Sequence, residues 1–271
     1  MEIPNWLKRK DSKIEKLEEK VNELQRELFN RPNLEEKVKD LETRLKRIES
    51  LYIEPKRYPQ TITLKNEALL ITDADLDGLV SAVLLNWAGW KFNPLFLKYG
   101  LTEILNRVEE ASMVIIADFT YYDDTHKGIE KLLQKGINIL YFDHHLDTEI
   151  YTSKIKKNDR FKLVYNNDNC WTAKIIYDFL KPDSKIKHPK VAEEYVNMAG
   201  ITDGKIKGLS EEGEIVRKAR LLQGAICAGR NYHFCSYVYQ KLLDNSFLKD
   251  RLIWEMAMSY NPSIEKYAPQ F

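Results

Sequence analysis

The sequence predicts an α/β fold: a parallel-sheet domain preceded by a coiled coil and followed by a helical cap. Three observations carry that reading. Between residues 64 and 165, short apolar runs alternate with helical stretches of 10 to 13 residues, the pattern of βαβ units with right-handed crossovers. Over residues 11–52, apolar residues step three and four apart, the seam of a coiled coil. Beyond Trp171 the chain reads as mostly helical, with no clear strand. The expected divisions are 1–53 for the coiled coil, 54–63 for a linker holding Pro55 and Pro59, 64–204 for the sheet domain and 205–271 for the cap.

In the coiled coil, Ile14, Leu17, Val21, Leu24 and Leu28 form one a/d seam, and Leu34, Val38, Leu41, Leu45, Ile48 and Tyr52 form another. The a positions Leu28 and Val38 are ten apart, a heptad plus three, which is a stammer. Pro32 lies in the break and removes an amide from the helical ladder. Two structures satisfy the pattern. One is a bent helix that closes the seam between chains, and β-branched residues at a with Leu at d lean towards a dimer. The other is an antiparallel hairpin turning at residues 29–33, with Asn33 as cap and Glu36 completing a capping box.

In the sheet domain the apolar run Ala68–Ile71 is the first strand, and a helix from Gly78 to Trp90 follows. Pro94–Lys98 is a second strand and Thr102–Ala111 a helix. Met113–Ala117, the helix Asp123–Lys135 and the strand Ile137–Phe142 come next, and Phe161–Tyr165 is a candidate fifth strand.

The formal charge of +1 is no basis for nucleic-acid binding by overall charge, but it hides an asymmetry. Residues 54–150 carry −6 and residues 151–271 carry +6. An acidic block beside a basic block suits carboxylates that hold cations next to a wall that takes a polyanion. Cys170, Cys227 and Cys235 are odd in number with no C-x-x-C spacing, so neither a disulfide framework nor a thiolate zinc site is indicated and a reducing cytoplasm fits. The start of the chain lacks a basic segment followed by an apolar one. The best apolar run, Leu79–Trp90, is far short of the ~20 residues that cross a bilayer, so no membrane association is expected.

Three strands end in acidic residues. The first runs into Thr72-Asp73-Ala74-Asp75-Leu76-Asp77-Gly78, another into Asp118, and another into Asp143-His144-His145. In an open parallel sheet the carboxyl ends of the strands share one edge, where ligands bind. Five Asp and two His therefore meet on one rim. Bare carboxylates so close raise each other's pKa, and divalent cations resolve the repulsion. An Asp/His donor set without Cys suits Mn²⁺, with Mg²⁺ and Zn²⁺ as alternatives. A lone Asp after a strand is commonly a helix N-cap, but three such strand ends together point to chemistry. The D-x-D-x-D-G segment also matches the start of an EF-hand loop. That loop needs Glu at its twelfth position, which here is Leu84, and an incoming helix where this chain has a strand.

At these residues the chain resembles the DHH phosphoesterases, which include RecJ-type exonucleases, short-oligonucleotide phosphodiesterases and manganese pyrophosphatases. Asp73–Gly78 is similar to motif one, Asp118 to motif two, Asp143-His144-His145 to the signature motif three, and Ala199-Gly200-Ile201-Thr202-Asp203 to motif four. The resemblance spans residues 67–204. It implies a two-cation phosphodiesterase. Asp75 and Asp118 would hold one Mn²⁺, with Asp73 in place of the family's usual His, since the His position is Ile71. Asp77, Asp118, His144 and Asp203 would hold the second. His145 would face the substrate phosphate and Asp143 would orient its neighbours.

The family's usual partner domain with its Gly-Gly-Gly-His-type loop is missing from residues 204–271. Arg230, in Cys227-Ala228-Gly229-Arg230, is the nearest candidate phosphate ligand. The basic stretches Lys154–Arg160, Lys181–Lys190 and Lys205–Lys207 suit a phosphate backbone. A coiled-coil start and no full partner domain resemble the archaeal Hef-associated nuclease subfamily. That implies a homotrimeric 3′→5′ exonuclease on single-stranded DNA or RNA, docked on a Hef-like repair helicase. A phosphodiesterase for dinucleotides and a non-catalytic repair scaffold are the alternatives.

Overall fold

The computed structural model describes residues 20–21, 61–152, 158–181, 186–229 and 231–269. The chain divides into two compact units, Met1–Ile53 and Glu54–Phe271. In the first, Lys20 and Val21 are helical and exposed. Apart from Val21, the coiled-coil seam, together with its closure as dimer, trimer or hairpin and residues 54–60 of the expected linker, lies outside the described residues.

The second unit is built on parallel strands in the order β2-β1-β3-β4-β5. They are β1 (Ile62–Asp73), β2 (Phe92–Leu97), β3 (Val108–Ala117), β4 (Asn138–Asp143) and β5 (Phe161–Tyr165). Between them run α1 (Leu76–Trp87), α2 (Leu101–Arg107), α3 (Asp123–Gln134) and α4 (Leu146–Thr152). The chain leaves β1 for β2 on one side, then returns past it to β3 and continues outward. Right-handed crossovers in opposite directions put α1 on one face of the sheet and α2 and α3 on the other. Leu69, Ile71, Val114 and Ile116 accordingly share a core with Ile104 and Ile129 of the helices on the second face. The alternate residues look the other way: Phe96 meets Tyr239 at 5.5 Å and Phe142 meets Phe179 at 5.2 Å between ring centroids. Strands covered on both faces read as continuous apolar runs, which is why β1, β3 and β4 stand out in the sequence.

The structure corrects one helix. Residues 108–111, expected at the end of a Thr102–Ala111 helix, belong to β3. Val108 is fully buried, and the early half of β1 pairs with this segment, Ile62 opposite Val108 and Leu64 opposite Ala111. Strand pairing over a buried valine overrides the favourable helix propensity of Glu109-Glu110-Ala111, as tertiary context commonly does. For the same reason β1 starts at Ile62, inside the expected linker. The fifth strand is present, parallel to β4.

Beyond β5 the described chain is helical: α5 (Thr172–Leu180), α6 (Pro189–Thr202), α7 (Glu214–Gly229), α8 (Tyr232–Leu243) and α9 (Arg251–Tyr260). Four of these helices, α5 to α8, pack over α1. Every residue of α1 except Asn86 is buried, so its apolar surface runs all the way round, as in any helix enclosed between layers. Among the described residues no helix is long and apolar enough to cross a membrane.

Candidate metal centre

The strand order reverses between β1 and β3, and the crevice outside that switch point is where an open α/β sheet binds ligands. Motif one follows β1 and Asp118 follows β3, so the topology alone brings these carboxylates together. Gly78 makes the tight exit from β1 feasible: a Cβ there would lie 2.2 Å from the carbonyl oxygen of Asp73. Asp75 caps α1, its Oδ1 accepting from Gly78 N–H at 2.9 Å. Gln223 of α7 reaches the same turn, where its Oε1 accepts from Leu76 N–H at 3.2 Å. Asp118 holds a left-handed backbone, φ 62°, a conformation disfavoured for non-glycine residues and concentrated at functional sites.

Two sets of candidate ligand atoms lie within 4.8 Å of one another: Asp73, Asp75 and Asp118 in one, and Asp118, Asp143, His144 and His145 in the other. Asp118 belongs to both. Asp77 and Asp203 reach the second set through His144. Its Nδ1 is 3.5 Å from Asp118 Oδ1 and 3.9 Å from Asp77 Oδ2, and its Nε2 is 3.4 Å from Asp203 Oδ2. Eight of the nine site residues expected from the sequence thus converge. The ninth, Arg230, lies outside the described residues.

The supporting contacts differ in range. Asp77 is clamped by the start of α5, accepting from Thr172 N–H and Ala173 N–H, each at 2.8 Å. A carboxylate there is favoured by the helix dipole. Asp203 sits at the opposite kind of end, the C-cap of α6, where an anion is disfavoured. It is brought there by the close packing of Gly200 on Trp171, whose ring a Cβ would meet at 2.7 Å. Asp143, fully buried, accepts from His145 Nδ1 at 2.6 Å through Oδ1 and from the Thr148 hydroxyl through Oδ2. Thr148 in turn accepts from Tyr121 N–H. The two imidazoles stack, centroids 4.4 Å apart.

Charge at the site is unbalanced. Burial raises the pKa of Asp75, Asp77, Asp118 and Asp203, and for the last three neighbouring carboxylates add to the rise. Asp73 is pushed up to about 7 by burial and by Asp75. His144 is held down to about 3 by burial, His145 and Lys205, so it is neutral and has a lone pair to give. For His145, burial works downward, but the hydrogen bond and charge of Asp143 outweigh it and the pKa rises. Asp203 Oδ2 is buried with no hydrogen-bond partner. Crowded, desolvated carboxylates, a neutral imidazole and an unpartnered carboxylate oxygen are the donor set that hard divalent cations complete. The residues fit such ions.

Thr172, Thr148 and Gln223 carry much of this geometry, and none stands out in the sequence. A threonine after a strand-to-helix turn carries no signal in one sequence. The partners of Thr172 lie 95 and 54 residues away.

Fold and site together define a class: a doubly wound α/β chain with a carboxylate–imidazole cluster at its switch point. No protein-family model matches the sequence, and no curated protein does. Among solved structures, the chain is similar to an uncharacterized protein from Helicobacter pylori G27 (TM-score 0.49, 19% identity, 75% of this chain and 62% of that one). It is also similar to an exonuclease RecJ bound to manganese (0.47, 15%, 74% and 60%). RecJ from Thermus thermophilus in complex with Mn²⁺ is a further match (0.44, 14%, 74% and 35%). The chain spans less than two thirds of the length of each.

Proposed function

We propose that the protein is a DHH-type phosphodiesterase that uses two divalent cations, Mn²⁺ foremost, to cleave single-stranded nucleic acid from an end. The observation that carries the proposal is the central place of Asp118, which clusters with Asp73 and Asp75 on one side and lies 3.5 Å from His144 on the other. A carboxylate between two donor groups can bridge a pair of cations, and this one is held at the switch point by an unusual backbone. In this reading Asp73, Asp75 and Asp118 hold the outer ion, and Asp77, Asp118, His144 and Asp203 the inner one. When bound, such a pair lowers the pKa of water and neutralises charge building on the phosphoryl oxygens.

The chain's own residues do the rest. Asp143 holds His145 by Nδ1, which leaves Nε2 for the substrate. The His145 side chain is 39% exposed, and its raised pKa keeps a proton available for a phosphate oxygen or the leaving oxygen. Lys98 and Lys205 are near enough to act electrostatically on Asp73 and Asp203, which places positive charge beside the site for the flanking phosphates. Residues 64–204 are the catalytic domain and 205–271 the cap whose Gln223 steadies motif one. The seam in residues 14–52 joins copies of the chain, as dimer or trimer, and a Hef-like helicase is the proposed partner, with 3′→5′ polarity.

Digestion of 5′- and 3′-labelled single strands of DNA and RNA with Mn²⁺ tests the proposal. Stepwise shortening from the 3′ end, abolished by EDTA, is expected. Release of nothing in any metal contradicts it. Light scattering of the full chain, against a chain lacking residues 1–53, tests the assembly.

A further inference from the structure

We infer that Thr172 is a positioning residue: its hydroxyl dictates which nitrogen of His144 faces the inner cation. The inference rests on the two-cation reading above. Thr172 is fully buried, and two kinds of contact meet on it. Its backbone N–H, with that of Ala173, is taken by Asp77. Trp171, at the N-cap position of α5, makes no side-chain cap bond, so Asp77 supplies the cap from a distant strand end. That contact needs only the backbone. The hydroxyl is surplus to it, yet lies 2.9 Å from Asp118 Oδ1 and 3.1 Å from His144 Nδ1.

Counting hydrogens fixes the rest. A hydroxyl has one hydrogen, and an ionised carboxylate can only accept. The hydrogen of Thr172 therefore goes to Asp118, and the contact with His144 must take its hydrogen from Nδ1. An imidazole that ligates a cation carries a single N–H. Nε2 thus presents its lone pair, and it faces Asp203 Oδ2 at 3.4 Å. That oxygen is buried and has no hydrogen-bond partner. Two acceptors so close repel one another, whereas a cation touching both turns them into ligands. The relay His144 Nδ1–H to Thr172 Oγ1–H to Asp118 therefore orients two proposed ligands at once, the outer-shell support that ligating histidines ordinarily have.

The full-length protein tests this with Thr172→Val, which keeps the shape and loses the hydroxyl, and Thr172→Ser, which keeps it. In ¹⁵N-histidine NMR of Mg²⁺-saturated protein, with His144 assigned by its loss in His144→Gln, the wild type and Thr172→Ser are expected to carry the proton on Nδ1. By calorimetric titration with Mn²⁺, Thr172→Val is expected to bind about 10- to 100-fold more weakly, and Thr172→Ser within about threefold of wild type. A proton on Nε2 in the wild type overturns the inference, and this readout stands even if Thr172→Val fails to fold. Equal Mn²⁺ affinity in all three proteins overturns it too, while leaving the two-cation reading intact. Absence of Mg²⁺ and Mn²⁺ binding in the wild type overturns both.

Discussion

The outer and inner halves of the site use the same side-chain chemistry on different foundations. Asp73 and Asp75 come from one short loop and are tied to it locally, Asp73 to Ala74 N–H and Asp75 to Gly78 N–H. Asp77, Asp118, His144 and Asp203 come from four separate segments, and the start of α5 joins three of them. A local loop places ligands cheaply but holds them loosely. Ligands locked by distant contacts are preorganised and lose less entropy when an ion arrives. The inner position is therefore expected to bind first and tightly, and the outer one to empty first as Mn²⁺ is lowered.

Asp118 is where that contrast must vanish, because both halves share it. Asp118→Asn keeps the shape and tolerates the left-handed backbone. It is expected to slow hydrolysis by at least about 10³-fold, a loss of about 4 kcal/mol of transition-state stabilisation, and to weaken both ions. A variant with near-normal rate in single-turnover assays removes the shared bridge. Next in size are the histidines. His145→Ala is expected to lower kcat about 10²-fold with metal stoichiometry unchanged, whereas His144→Ala loses the inner ion. Elemental analysis checks the split, and equal metal loss in both variants means that the pair has been divided wrongly. Asp73→Asn touches the outer half alone. It is expected to raise the Mn²⁺ needed for half-maximal rate by about tenfold while kcat at saturation changes little.

The smallest effect is on stability. Asp73 moves from 3.8 to about 7 in the folded chain. Between those values the folded state holds a proton that the unfolded state releases, so metal-free protein loses stability as pH rises through that window. The other raised carboxyls and the raised His145 act in the same direction and together outweigh His144, whose lowered pKa works against them below pH 6.5. Tm of the EDTA-treated protein is expected to be higher near pH 5 than near pH 8, and Mn²⁺ at pH 8 to restore it by binding the folded state. A flat profile in scanning calorimetry means that the carboxylates are already compensated within the chain.

The same division explains what the sequence discloses. β1, β3 and β4 are legible because strands buried on both faces are unbroken apolar runs, and most of the proposed ligands are legible because they follow such runs. The extension of β1 to Ile62 and of β3 back to Val108 is not, because each half of that pairing looks unremarkable without its partner. Asp75 obeys both readings of an acid after a strand: it caps α1 and still faces the cluster. Asp118 obeys only one, since α3 starts at Asp123 with Tyr122, not Asp118, at its N-cap position. Thr172 is invisible in the sequence because its meaning lies in contacts with Asp77, Asp118 and His144, which chain order does not reveal.

In the proposed site two cations sit on either side of Asp118. An anomalous difference map from crystals soaked in Mn²⁺ measures this most directly. Two peaks are expected, one among Asp73, Asp75 and Asp118, the other against His144 Nε2 and Asp203. No peak at Asp118, or a single ion held by Asp143 and His145, would contradict it.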